Sequence, residues 1–123
     1  MTDRILYVES NPHTMELISR ILKYLGGYRV IPARHAQSGI AIASSTSQRP
    51  DLILLGIKPD DASTLQGATQ LRQSPALRGV PILAIIADDR IASHRQRIMA
   101  AQCDGCITQP ASAQALLDII GDY

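Results

Sequence analysis

The feature of this sequence that most constrains its fold is a regular alternation of short apolar segments with longer amphipathic ones. The strongest short segment, residues 52–55, reads Leu-Ile-Leu-Leu and is typical of a strand buried on both faces of a parallel sheet. The other short segments predict strands at residues 5–8, 29–31, 81–86 and 105–108. Helical spacing of apolar residues predicts helices at residues 12–25, 37–45, 65–72, 91–101 and 113–120. Strict alternation of this kind predicts a doubly wound α/β fold, a five-stranded parallel sheet with helices on both faces.

Local signals support the first strand-to-helix unit. Asn11 is a residue type that caps helix N-termini, and Pro12 suits the first helical position, where its missing N–H is no loss. Gly26 and Gly27 follow the last apolar residue of the same segment, as expected where a helix ends. We therefore predict that the first helix begins directly after a turn that contains Glu9 and Ser10.

Composition narrows the classes of function. The 123 residues suit one domain, 1–123, and 46% hydrophobic against 19% charged residues predict a folded core. With no Trp or Phe, that core must be mostly aliphatic. A net charge of +1 argues against direct nucleic-acid binding, and no apolar run is long enough to span a membrane. A cytoplasmic location is expected.

Doubly wound folds bind ligands at the carboxyl ends of their strands. The turn after the first strand, residues 9–13, has no glycine, which argues against a dinucleotide-binding turn and a P-loop. The hydroxyls of Ser10 and Thr14 would suit a flavodoxin-type phosphate loop, but Glu9 and Pro12 within the loop argue against one. No catalytic residues and no cofactor are predicted.

Several segments in order give the chain a specific resemblance. They are Ile-Leu-Tyr-Val-Glu at 5–9, Pro-Asp-Leu-Ile-Leu-Leu at 50–55, Leu-Arg at 71–72, Val-Pro-Ile-Leu-Ala at 80–84 and Asp-Gly-Cys-Ile-Thr-Gln-Pro at 104–110. Over essentially its whole length the sequence resembles the receiver domains of two-component response regulators. The resemblance implies a flavodoxin-like fold with strand order 2-1-3-4-5.

The resemblance also implies a phosphorylation pocket that has lost its chemistry. The family transfers a phosphoryl group from a histidine to an aspartate at the end of the third strand, with the help of a divalent cation, a hydroxyl and a lysine. In this sequence the matching positions are Gly56 for the aspartate, Glu9 and Ser10 for an acidic pair, Ile86 for the hydroxyl and Gln109 for the lysine. The family's aromatic switch position is Cys106, which is expected to be buried. Only Glu9 keeps the family's chemistry.

Each remaining feature has a plainer interpretation beside the functional one. Glu9 either favours the N-terminus of the following helix or is a remnant of a metal site. Asp60 and Asp61 are either solvated loop residues or substitute phosphate acceptors. Cys103 and Cys106 form a C-x-x-C pair, which suits small buried core residues better than half of a zinc site, because no second cysteine pair exists.

The resemblance places a partner face on the fourth helix, fifth strand and fifth helix. Arg90, His94 and Arg95, with Cys106, mark this face, and the basic residues suit either solvent or an acidic partner. The expected function is that of a non-enzymatic pseudo-receiver that binds a signalling protein without phosphorylation. The alternative is a small-molecule sensor that uses the room left by Gly56, Ser10 and Ile86. The sequence does not distinguish a monomer from a homodimer.

Overall fold

The structure, a computed structural model, describes residues 2–45, 49–58, 62–86, 96, 98–99, 103–108 and 112–123. Its strands are β1 (Arg4–Val8), β2 (Arg29–Ala33), β3 (Leu52–Ile57), β4 (Ile82–Ile86) and β5 (Gly105–Thr108). They form one parallel sheet in the order β2-β1-β3-β4-β5. The predicted fold class and strand order are confirmed.

Four helices flank the described strands. They are α1 (Pro12–Arg20), α2 (Ala36–Ser45), α3 (Ala62–Gln73) and α4 (Ala113–Gly121). The helix labelled α4 is the fifth of the helices predicted from the sequence. Of the helix predicted over residues 91–101, the structure describes 96, 98 and 99, which are helical. Within the described residues, no helix is both long and apolar enough to cross a membrane.

Two clusters of apolar side chains pack on opposite faces of the sheet. Successive strand residues alternate between them, so that Leu6 and Ile53 face one cluster while Tyr7 and Leu54 face the other. The first cluster includes side chains of α2 and α3, and the second includes side chains of α1 and α4. The carboxyl ends of β1, β2 and β3 are thereby held side by side between the helices that follow them.

The ends of α1 follow the local signals in the sequence. The Asn11 side chain accepts hydrogen bonds from the backbone N–H groups of His13 and Thr14, and Pro12 is the first helical residue. The predicted helix does not stay α-helical to its end, because residues Ile21–Leu25 form a π-helical turn. Gly27 then adopts a φ of 73°, in the left-handed region that glycine occupies at little cost.

Several elements extend beyond their predicted ends, among them β2, β3 and α3. β3 runs on through Gly56 to Ile57 because both residues pair with β4, opposite Ile85 and Ile86. α3 begins at Ala62, ahead of the apolar residues that predict it from Leu65 onward. Thr64 Oγ1 and the backbone of Lys58 are 3.1 Å apart in two hydrogen bonds, which tie the first turn of α3 to the end of β3.

Candidate functional site

The Glu9 carboxylate lies directly over Gly56 at the carboxyl ends of β1 and β3. A Cβ atom built on Gly56 would stand 2.4 Å from Glu9 Oε1 and 3.0 Å from its Cδ. These distances are too short for real atoms, so a side chain at position 56 would require Glu9 to move. The structure thus brings together Glu9 and Gly56, and the space over Gly56 is occupied by Glu9.

Hydrogen bonds hold Glu9 in this position. Its Oε2 accepts the backbone N–H of Asn11 at 3.0 Å, and its Oε1 accepts the Tyr7 hydroxyl at 3.4 Å. The residue is 8% exposed. Burial, with the adjacent Glu9 carboxylate as a second cause, raises the pKa of the Tyr7 hydroxyl far above its ordinary value, which keeps it protonated as the donor. Glu9 therefore stabilises the turn that leads into α1 through its hydrogen bond with Asn11. This contact agrees with the interpretation that Glu9 favours the N-terminus of the following helix.

The space around Gly56, which we call the Gly56 pocket, consists of two small cavities beside Glu9. One holds about 100 Å³ and is bordered by residues that include Ser10, His35 and Thr64. The other holds about 70 Å³ and is bordered by residues that include Asn11 and Lys58. Ligand pockets are commonly about 300–1,000 Å³. The room expected from Gly56 and Ser10 is thus largely taken up by Glu9.

Ile86 is fully buried and lies at the last position of β4, within the core cluster next to α2 and α3. An aliphatic side chain in that place packs and donates no hydrogen bond. Gln109, and the loop residues Asp60 and Asp61, lie outside the described residues. The structure therefore places four of the five residues of the expected pocket.

The residues around Glu9 do not fit a divalent cation of the kind that receivers use. Magnesium prefers several oxygen ligands, commonly from more than one carboxylate. Here both Glu9 oxygens face hydrogen-bond donors, and Gly56 brings no side-chain oxygen. Among the described residues, no three His, Cys, Asp or Glu side chains form a group that could hold a metal ion.

The two cysteines differ in burial. Cys103 is buried. Burial is the main cause, and the negative charge of Asp104 a second cause, that raises the pKa of its thiol to about 11. Cys106 is only partly buried, which corrects the expectation of full burial. The physical reason is that Cys106 lies on the edge strand β5, at the margin of the cluster next to α2 and α3, whereas Ile107 on the other face of β5 is buried. A protonated, buried Cys103 behaves as a small apolar core residue.

The basic residues of the predicted partner face lie outside the part of the chain that the structure describes. Arg90, His94 and Arg95 lie outside the described residues, as does Arg97. Of the four residues named for this face, Cys106 is the one that the structure describes. The face remains a prediction.

Sequence reasoning missed a groove between α1 and the edge strand β2, which we call the α1–β2 groove. It holds about 380 Å³. Its lining residues are Glu9, Ser10, Pro12, Met15, Glu16, Ser19, Arg20, Lys23, Tyr24, Pro32 and Arg34. The α1 residues among them recur every three or four positions, so a polar stripe at helical spacing is the signal that could have found it.

Comparisons with known proteins agree with this architecture. The family model for the response regulator receiver domain matches residues 5–121. The polar-differentiation response regulator DivK of Brucella anthropi is 28% identical over 123 residues, which cover 100% of this chain and 97% of that protein. DivK of Brucella ovis shows the same identity and coverage.

Solved structures give the same result. The receiver domain of the sensor histidine kinase PA1611 from Pseudomonas aeruginosa, solved with a magnesium ion in its active site cleft, is 25% identical with a TM-score of 0.82, covering 100% of this chain and 98% of that one. The chemotaxis response regulator CheY4 of Vibrio cholerae shares the fold, with a TM-score of 0.81 at 19% identity and coverage of 99% and 98%.

Proposed function

Since the chain belongs to the response regulator receiver domain family, we propose that it is a pseudo-receiver that acts in signal transduction without aspartyl phosphotransfer. In this proposal residues 1–123 form a single receiver domain that binds a signalling protein in one fixed state. It has no enzymatic activity of its own. A cytoplasmic location is part of the proposal and rests on the sequence alone.

The observation that carries the proposal is the contact between Glu9 and Gly56. An aspartyl phosphate needs a carboxylate at the end of β3, and glycine has no side chain to phosphorylate. The Glu9 carboxylate fills the space where that side chain would begin, with Oε1 at 2.4 Å from a Cβ built on Gly56. A pocket arranged in this way offers no acceptor side chain at residue 56, and Glu9 occupies the position where one would begin.

The groups that would stabilise a transferred phosphoryl group are also replaced. Phosphoryl transfer relies on a metal ion, hydrogen-bond donors and cations placed around the phosphoryl oxygens. Ile86, in place of the family's hydroxyl, is buried in the core. Losing the aspartate and the metal site together avoids leaving a buried charge without a partner.

A small-molecule sensor remains the alternative function, and the described residues favour it less. The two cavities of the Gly56 pocket, of about 100 and about 70 Å³, are small for a metabolite. Polar groups do border the larger cavity, among them Ser10 and His35. We regard docking of a protein as the better-supported function because Glu9 closes the space that a ligand would need.

The proposal is tested by incubating the protein with acetyl phosphate and Mg²⁺ and measuring its intact mass. We expect no added phosphoryl group, whereas a receiver domain with the aspartate in place, treated in parallel, gains one. A variant with Asp60→Asn and Asp61→Asn serves as the matched control. An adduct on the native chain would overturn the proposal, and its loss in the double variant would place the phosphate on the loop.

A further inference from the structure

The α1–β2 groove is open to solvent along one side of α1 and ends close to Glu9 and Ser10. One wall is the polar stripe of α1, and the other is the end of β2 with Pro32 and the following Arg34. Its volume of about 380 Å³ lies at the lower end of the range for ligand sites. It is also larger than either cavity of the Gly56 pocket.

The acidic residues of the groove have partners within the protein, whereas two of its basic residues do not within the described residues. Of its acidic residues, Glu16 forms an ion pair with Arg20 at 2.8 Å, and Glu9 is buried and accepts hydrogen bonds from Asn11 and Tyr7. Lys23 and Arg34 line the same groove, and neither forms an ion pair with another residue in the part of the chain that the structure describes. Two cations are therefore available to a ligand that brings negative charge.

An exposed aromatic side chain stands at the end of the groove. Tyr24 lines it and is 81% exposed, so most of its ring has no neighbour within the described chain. Exposed aromatic residues beside cations are common anchors at protein interfaces, because the ring buries a large area at little cost in conformational entropy. Met15, which is partly buried, adds an apolar surface on the same side of α1.

The edge strand limits how a partner can bind. β2 is the outermost strand on this side of the sheet, and an edge strand offers backbone groups to an added strand. Pro32 has no N–H to donate, and proline on an edge discourages strand pairing. A partner is therefore held by side chains of the groove and not by extension of the sheet.

From these observations we infer that the α1–β2 groove is the docking site for an acidic segment of a protein partner. Carboxylates of that segment pair with Lys23 and Arg34, and an apolar side chain packs against Tyr24. Charge complementarity selects this occupant, since the unmatched charges of the groove are both positive. The inference rests on the proposed function and adds the chemistry of the partner. It places the docking site next to β2, at the edge of the sheet opposite to β5.

The experiment uses the full chain and a fluorescein-labelled peptide of sequence EELGEELGEE, with KKLGKKLGKK as the opposite-charge control. Fluorescence anisotropy measures affinity, and amide chemical shifts of the ¹⁵N-labelled protein locate the contact. We expect the acidic peptide alone to bind, with the shift changes concentrated in α1 and at the end of β2. Binding should weaken strongly between about 50 mM and about 500 mM sodium chloride, because exposed charges are screened by salt.

Charge reversal then tests the named residues. Lys23→Glu and Arg34→Glu should each weaken binding by about tenfold or more, because reversal turns an attraction into a repulsion of similar size. Lys23→Arg keeps the charge and should bind as the native chain does. Arg78→Glu makes the same change of charge at an exposed position outside the groove and serves as the matched control.

Three outcomes would overturn the inference: no binding of the acidic peptide, binding that survives both reversals, or shift changes away from the groove. None of them bears on whether the chain accepts phosphate, which the acetyl phosphate experiment measures separately. Conversely, a phosphorylated chain whose groove still binds the acidic peptide would refute the proposed function and leave the docking site in place.

Discussion

The Gly56 pocket and the α1–β2 groove lie side by side and share Glu9, Ser10 and Arg34 as lining residues, yet one is largely filled by Glu9 and the other is open. In the pocket, the Glu9 carboxylate sits over Gly56 and is held by hydrogen bonds. In the groove, Lys23 and Tyr24 extend into solvent from the π-helical turn that follows α1. The glutamate that remains from the family's acidic cluster has become part of the wall between them.

The contrast shows how a receiver fold can keep its shape with a glycine at the end of β3. A cavity left by a missing side chain would cost stability, because its walls lose contacts with no replacement. Glu9 fills the space over Gly56 and also satisfies the N–H of Asn11. The scaffold that positions α1 is thereby kept, and the groove on the outer side of α1 keeps its shape with it.

The largest effect is expected from Gly56→Ala, which tests whether the pocket is closed. The added Cβ would lie 2.4 Å from Glu9 Oε1, the oxygen that accepts from Tyr7, so the carboxylate must shift and its hydrogen bonds with Tyr7 and Asn11 are disturbed. We expect a loss of about 1–3 kcal/mol in the free energy of unfolding, measured by urea denaturation.

The matched control is Gly121→Ala, where an added Cβ meets no atom within 4 Å. In a Glu9→Ala background, Gly56→Ala should cost little, because the clashing carboxylate is gone and the two substitutions are coupled. An equal cost of Gly56→Ala in both backgrounds would show that Glu9 does not close the pocket.

A smaller effect is expected at Asp51, an exposed carboxylate at the amino-terminal ends of β1 and β3, which shows what such a group contributes to stability without burial. It accepts the backbone N–H groups of Asp3 and Arg4, each at 3.0 Å, and these bonds, Arg4 first, hold its pKa below the ordinary value. A lowered pKa means that the carboxylate stabilises the folded state above the unfolded pKa, near 4, and that this contribution disappears as pH falls through the folded pKa.

We therefore expect Asp51→Asn to lower the free energy of unfolding at about pH 7 and to differ less from the native chain at about pH 3. Urea denaturation over this pH range measures the difference. Asp122→Asn changes another exposed carboxylate, without a hydrogen-bond donor among the described residues, and is the control. A difference that stays constant with pH would contradict the assignment of these backbone contacts.

The smallest effect is expected from Mg²⁺. A cation that binds the native state with a millimolar Kd would, at about 10 mM, stabilise the fold by more than about 1 kcal/mol, a shift of several degrees in Tm. Because the Glu9 oxygens already face hydrogen-bond donors, we expect a shift below about 1 °C relative to sodium chloride of equal ionic strength. A rise of several degrees would mean that the pocket still holds a cation.

Local signals were enough for much of the fold. The apolar run of β3 and the Asn11–Pro12 start of α1 both act between near neighbours in the chain, and the structure agrees with both. The extension of β3 through Gly56 depends on pairing with β4, which no local pattern contains. The partial exposure of Cys106 likewise follows from the edge position of β5.

By itself the sequence determined the doubly wound fold and the absence of a side chain at Gly56, because periodicity and residue identity can be read without knowing any distance. Only the tertiary structure decided that Glu9 covers Gly56 and that α1 and β2 enclose a groove whose Lys23 and Arg34 form no ion pair within the described residues. Both arrangements bring together residues from separate elements, and which side chain fills a given space depends on how those elements pack. The closed pocket and the open groove are consequences of that packing.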